Sequence, residues 1–167
     1  MSAAATVTKQ PAVQAQVGTE QYLTFLLAGE EYGIEILRVQ EIKGWEKVTR
    51  VPHTPTYVLG VINLRGAIVP IIDLRARFSM ENIPCGPTTV VIVVTVAAER
   101  GDRTVGIVVD AVSEVYNVPI ADTRPPPDML GPVDRVLIKG LARVEDKMVI
   151  LLDIDRLVNS SVDHEQS

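Results

Sequence analysis

The 167-residue chain reads as a mainly β protein, built as two small barrels in tandem from an internal duplication. Three observations carry that reading. Hydrophobic residues make up 47% of the chain but aromatics only 4%, so the core is mostly Val, Ile and Leu, whose β-branched members suit a pleated, half-buried surface. The apolar stretches are short and end in Gly, Pro or charged turns. Two segments also recur. Gly33 to Ile42 aligns without gaps on Gly106 to Val115, with Gly, Ile, Val and Glu in place at 33/106, 34/107, 39/112 and 41/114. Gly60 to Leu74 aligns on Gly140 to Ile154, where Gly60/Gly140, Val69/Val149 and Asp73/Asp153 match. Five or so antiparallel strands per copy would close into a barrel with no open edge, leaving a groove between the two.

Taken in order, residues 1–18 lack periodicity and read as a disordered arm. Tyr22 to Leu27 is the first strand, followed by a turn at Ala28 to Glu31. A second strand runs from Tyr32 to Ile42; Leu37 and Ile42 break its period of two, which a bulge, or a strand covered on both faces, would explain. Trp45 to Val51 reads as a short strand, and Pro55 to Tyr57 as one helical turn. Val58 to Phe78 forms an apolar hairpin around Leu64-Arg65-Gly66, with Asp73 as N-cap of a short helix. Ser79 to Pro87 is the boundary between halves. Thr88 to Ala98 is a near-continuous apolar run, the mark of a strand buried on both faces. Thr104 to Val118 is a second long strand, and Pro125 to Pro127 lie in an extended loop that holds the second copy's extra residues. Val136 to Val144 and Met148 to Leu152 form another hairpin, with Asp153 capping Ile154 to Asn159. The expected division is 19–83 for the first barrel and 88–159 for the second, with strand exchange between them allowed, and a polar tail at 160–167.

Charge and composition exclude several classes of function. The net charge is −5, and most of it lies after Ile83, so neither half offers the basic footprint a phosphate backbone requires. The longest apolar run, Val90 to Ala98, falls short of the roughly 20 residues a spanning helix needs. With one cysteine, Cys85, no intramolecular disulfide can form; the expected compartment is the cytoplasm. No catalytic constellation, cofactor motif or metal-ligand spacing emerges. His53 sits between prolines, Cys85 has no evident base, and Asp73, Asp110 and Asp153 are better explained by capping and turns. What remains is a surface for binding proteins.

The residues that carry a resemblance are EEYGIEILRVQEI from Glu30 to Ile42, GVINLRGAIVPIIDLR from Gly60 to Arg75, and VGIVVD from Val105 to Asp110. Together they closely resemble the CheW family of bacterial chemotaxis coupling proteins, over roughly residues 20–159. The resemblance implies two five-stranded SH3-like barrels and a non-catalytic adaptor needing no cofactor. Its implied partners are the regulatory domain of the histidine kinase CheA and the cytoplasmic tip of chemoreceptors, at membrane-associated arrays, with ring assembly alongside CheA. By the same resemblance, the kinase contact includes Ile36, Val39, Glu41 and Ile42, and the receptor contact Arg65, Val90, Val91, Gly106 and Val115. Each has a plainer reading: Ile36, Val39 and Ile42 as core, Gly106 as a close-packing requirement, Arg65 as a solubilising turn residue. The alternatives to the adaptor are a CheW-like domain of another two-component pathway and a small-barrel nucleic-acid binder.

Overall fold

In the computed structural model, residues 18–81, 85–126 and 135–159 are described. The expected arm up to residue 17, the tail at 160–167, and parts of the boundary and proline loops lie outside them. The first copy contributes β1 (Thr19–Leu27), β2 (Glu30–Glu35), β3 (Val39–Gly44), β4 (Val58–Leu64), β5 (Ala67–Asp73) and helix α1 (Leu74–Arg77). The second contributes β6 (Val90–Val96), β7 (Arg103–Val109), β8 (Ala111–Pro119), β9 (Thr123–Arg124), β10 (Ile138–Val144), β11 (Lys147–Leu152) and helix α2 over 154–159.

These strands form two sheets, ordered β8-β1-β2-β11-β10-β9 and β3-β6-β7-β5-β4, each curled into an SH3-like barrel. Neither barrel is a contiguous half of the chain. After its first two strands, each copy sends the rest into the sheet that the other copy began. The split at 83–88 therefore separates the copies but not the barrels. The crossing also makes two of the ladders parallel, β2 with β11 and β5 with β7, where an all-antiparallel sheet was expected.

Both expected long strands are interrupted at the crossing. Ile36–Arg38 form a single 3-10 turn between β2 and β3, and Asp110 separates β7 from β8. A further bulge lies in β3 between Val39 and Glu41. The stretch from Trp45 to Val51 makes no strand; only Thr49 pairs, exchanging two hydrogen bonds with Val61. Pro55 to Tyr57 is a turn closed by the Val58 N–H on the Pro55 carbonyl, not a helix.

Three apolar layers result. A central cluster joins Leu23, Phe25, Tyr32 and Ile34 to Ile92, Val94, Ile107 and Val109, between the sheets. Tyr22, Tyr116, Val149 and Leu151 fill one barrel, and Ile71, Val91, Val93 and Val108 the other. Alternate residues of β6 thus enter different layers, which is why its sequence is apolar on both faces. Gly106 is buried where a Cβ would stand 2.7 Å from Ile71 and 2.8 Å from Val91, and its counterpart Gly33 packs against Leu151.

Two polar clamps reinforce the exchange. Asp110 accepts the Ala28 N–H at 2.9 Å and both Arg75 Nε and Nη2, at 3.0 and 2.6 Å. On the other side, Asp155 accepts the Ala97 N–H at 2.8 Å and Arg38 Nη2 at 2.7 Å. Each ties the turn of a first hairpin to a residue from the opposite copy. Arg75 aligns with Asp155, so the helix after each second hairpin supplies the arginine to one clamp and the acid to the other.

Candidate functional site

Arg65 occupies the first position of a two-residue turn between β4 and β5, at φ 52, and Gly66 follows at φ 88. Two successive positive φ values make the tight hairpin whose twist matches its strands. Asn63 Oδ1 accepts the Gly66 N–H at 2.9 Å and stiffens the tip. From there Arg65 Nη2 reaches Glu41 Oε1 on β3 at 2.7 Å. β3 and β4 are the two ends of their sheet, so the pair spans the seam where this barrel closes. The arginine side chain is 69% exposed and the glutamate 27%. Much of the guanidinium fork therefore still faces outward, with several N–H donors open to a partner.

The pairing joins residues that the resemblance assigns to different partners: Arg65 to the receptor contact, Glu41 to the kinase contact. Beside Glu41, Ile42 is 44% exposed, while Ile36 and Val39 are half-buried against the central core. The bulge in β3 reconciles these exposures with a strand that was expected to show one face only. On the receptor side, Val90 and Val115 are half-buried at the edge of the same core. Val91, at 1% exposure, and Gly106 need correcting: both lie inside the barrel and offer no contact surface, because β6 and β7 are its middle strands. Their part is packing.

Leu37 was missed. It crowns the 3-10 turn between β2 and β3 at 89% exposure, the highest of any large apolar side chain among the described residues. The signal was its break with the strand's period of two. A leucine this exposed, on the turn that leads into β3, adds to Ile42 as apolar surface open to a partner.

A pocket of about 240 Å³ opens at one end of the same barrel, lined by Trp45, Val48, Leu59, Val108 and Cys85, with Asp73, Arg75 and Asp110 at its rim. Its polar groups have structural work. Asp73 caps α1 through the Arg75 N–H at 3.1 Å, and burial lifts its carboxyl above the ordinary range despite the backbone bonds from Ala76 and Arg75. Desolvation, and then the charge of Asp73, push the Cys85 thiol up, which suppresses the reactive thiolate. Asp153 caps α2 through the Arg156 N–H at 3.1 Å. His53 sits in the turn after Pro52 at φ 62. Among the described residues no group of three His, Cys, Asp or Glu could hold a metal ion, and no helix is long and apolar enough to cross a membrane.

A double barrel that presents a rigid arginine tip, a carboxylate partner and open apolar surface has the build of a protein-interaction module. Comparison with known proteins makes that class specific. The family model for the CheW-like domain matches residues 21–162. The chain is 42% identical to the chemotaxis protein CheW of Klebsiella aerogenes over 160 residues, which cover 96% of this chain and 92% of that one. It is 38% identical to CheW of Rhizobium meliloti over 143 residues, covering 86% and 90%. A crystal structure of the scaffolding protein TtCheW from Thermoanaerobacter tengcongensis superposes with a TM-score of 0.76 at 33% identity, covering 84% of this chain and 92% of that one. The chain belongs to the CheW family of chemotaxis proteins.

Proposed function

We propose that this chain is a non-catalytic adaptor coupling transmembrane chemoreceptors to the histidine kinase CheA. In this reading β3 docks on the kinase's regulatory domain through Glu41, Ile42 and Leu37, with Ile36 and Val39 beneath. The cytoplasmic tip of the receptor lies by Arg65, with Val90 and Val115 along the groove between barrels. The adaptor then works in the cytoplasm at receptor arrays, where it can alternate with CheA in rings. Family membership supports this reading, and the observation that carries it is the Arg65–Glu41 pair. A charged fork held on a stiff hairpin, beside open apolar surface, suits a modest interface whose affinity rests on few residues.

Because the two side chains touch, the two partners feel each other's site. Arg65→Glu places two carboxylates in contact and is expected to lower affinity for a CheA fragment and for a receptor fragment alike, by about tenfold each. The double exchange with Glu41→Arg restores the pair and recovers most of both. Melting temperature changes little in either variant, since so exposed a pair contributes at most about 1 kcal/mol. Pull-down and titration calorimetry with both fragments decide the matter. Single-variant affinities within twofold of wild type for both partners would sink the reading.

Leu37→Asp provides a separate check. With 89% of Leu37 in solvent, unfolding is expected to stay within about 0.5 kcal/mol of wild type, while kinase-fragment affinity drops roughly tenfold. Unchanged kinase binding removes Leu37 from the contact.

A further inference from the structure

The duplication sets a second hairpin tip in the other sheet. Glu114 corresponds to Glu41, and Glu145 to Arg65. The two tips share one geometry: Arg65 and Glu145 sit at φ 52 and 50, followed by Gly66 and Asp146 at 88 and 67. The bulge recurs too, before Glu41 in β3 and between Val112 and Val115 in β8. The chemistry does not. Where the first tip joins a cation to an anion, the second brings acid to acid around Tyr116, whose hydroxyl donates to Glu145 Oε1 at 3.4 Å. Glu114 is a further hydrogen-bonding partner of that hydroxyl, and Glu31 also acts on it from β2.

Glu31 is only 7% exposed, and its Oε2 is buried with no hydrogen-bond partner. Alternation along β2 puts it on the inward face of Gly33, which packs against Tyr22, Val149 and Leu151 in the same barrel interior as Tyr116. Lys147, its ion-pair partner among the described residues, stands 3.5 Å from the other oxygen and is half exposed. Three carboxylates thus surround the Tyr116 hydroxyl, Glu31 buried, Glu114 half-buried and Glu145 exposed, with Lys147 paired to Glu31 among the described residues. They do not converge tightly enough for a metal ion, as no such cluster exists among the described residues. A planar cation with several separated donors fits the spread better than a point charge does.

We propose that the acidic recess formed by Glu31, Glu114, Glu145 and Tyr116 is a docking site for an arginine side chain of a partner protein. That guanidinium takes, in the second barrel, the place Arg65 holds in the first. The recess belongs to the other sheet from Arg65 and Glu41, so this contact is additional to the kinase contact, while Val115 of the proposed receptor groove stands between Glu114 and Tyr116 in β8 and makes the recess a neighbour of that groove.

The test uses the full chain, isotopically labelled, titrated with Nα-acetylarginine methylamide and with the matching lysine amide. Saturable amide shifts confined to the surroundings of Glu31, Glu114, Tyr116 and Glu145, with the arginine probe at least fivefold tighter, support the proposal. Glu31→Gln is expected to weaken binding about tenfold, whereas Glu99→Gln, in a turn of the other sheet, leaves it unchanged. Glu145→Arg should fill the recess from within, abolish probe binding and raise the melting temperature. Shifts that fail to saturate, spread over every acidic surface, or survive Glu145→Arg overturn it. So does concentration-dependent self-association that Glu145→Arg removes, because the occupant is then a second copy.

Discussion

Gly60→Ala is expected to destabilise the fold by at least about 3 kcal/mol, the largest effect of a methyl added at any of the described glycines. Gly60 lies at φ 152, and a Cβ built there would stand 2.2 Å from the Thr49 carbonyl oxygen and 2.7 Å from its carbon. The obstacle is backbone, held by the paired hydrogen bonds between Thr49 and Val61 at 2.9 and 2.8 Å, so it cannot rotate aside as a side-chain tip can. Relief would require breaking the bridge that closes the barrel between β3 and β4. Since Arg65 and Glu41 span the same seam, partner binding should fall along with stability. Urea unfolding of Gly60→Ala beside Gly44→Ala, where nothing lies within 4 Å of the added methyl, measures the effect. A difference below about 1 kcal/mol between the two would show that the seam yields easily.

Asp110→Asn is expected to cost about 2 kcal/mol at neutral pH, because it turns a charge-assisted, two-pronged clamp on Arg75 into a neutral one while keeping the acceptor for Ala28. Arg75 is nearly buried, so its charge would lose its partner in a desolvated place. The pH dependence identifies the mechanism. Hydrogen bonding from Arg75 holds the Asp110 carboxyl below its ordinary value of 3.8 in the folded protein. A depressed carboxylate stabilises the fold above that ordinary value, and the gain is lost as pH falls through the lower, folded value. The gap between wild type and variant should therefore be constant from pH 7 to about 5 and shrink below about pH 4. Denaturant unfolding across that range measures it. A gap that does not narrow in acid would assign the loss to shape and not to charge.

Much of this architecture was legible in one dimension. The recurring glycines at 33/106 and 60/140 mark places where another chain segment lies within contact of the backbone, and a close approach leaves a trace in sequence because only one residue type fits it. The caps at Asp73 and Asp153 are equally local, each bonding an N–H two or three residues on. The apolar run of β6 announced a strand covered on both sides. The segment from Trp45 to Val51 misled, because β-propensity states only that residues tolerate extension. Whether a strand forms there depended on what stood beside it: Trp45 gives one N–H to Thr89, and Thr49 alone makes a bridge, with Val61.

For the candidate site, Arg65 was legible as the tip of a hairpin whose counterpart diverged. Its contact with Glu41 was not, since the residues are far apart in the chain and belong to opposite ends of a curled sheet. Val91 and Gly106, assigned to the receptor contact by the resemblance alone, already carried the sequence marks of burial, an apolar run and a recurring glycine, and the barrel interior is where they lie.

The sequence alone determined the β class, the duplication, the turns with their glycines, and the divergence of the two hairpin tips, because each is written in local periodicity or in residue types that backbone geometry demands. Only the tertiary structure decided which copy's strands share a barrel, that Arg65 and Glu41 meet across the seam, and that Glu31 is buried with one oxygen lacking a hydrogen-bond partner. Those outcomes depend on the path the chain takes after the breaks at Ile36–Arg38 and Asp110. A crossing made by three residues, or one, redirects everything downstream while leaving hydrophobic pattern unchanged.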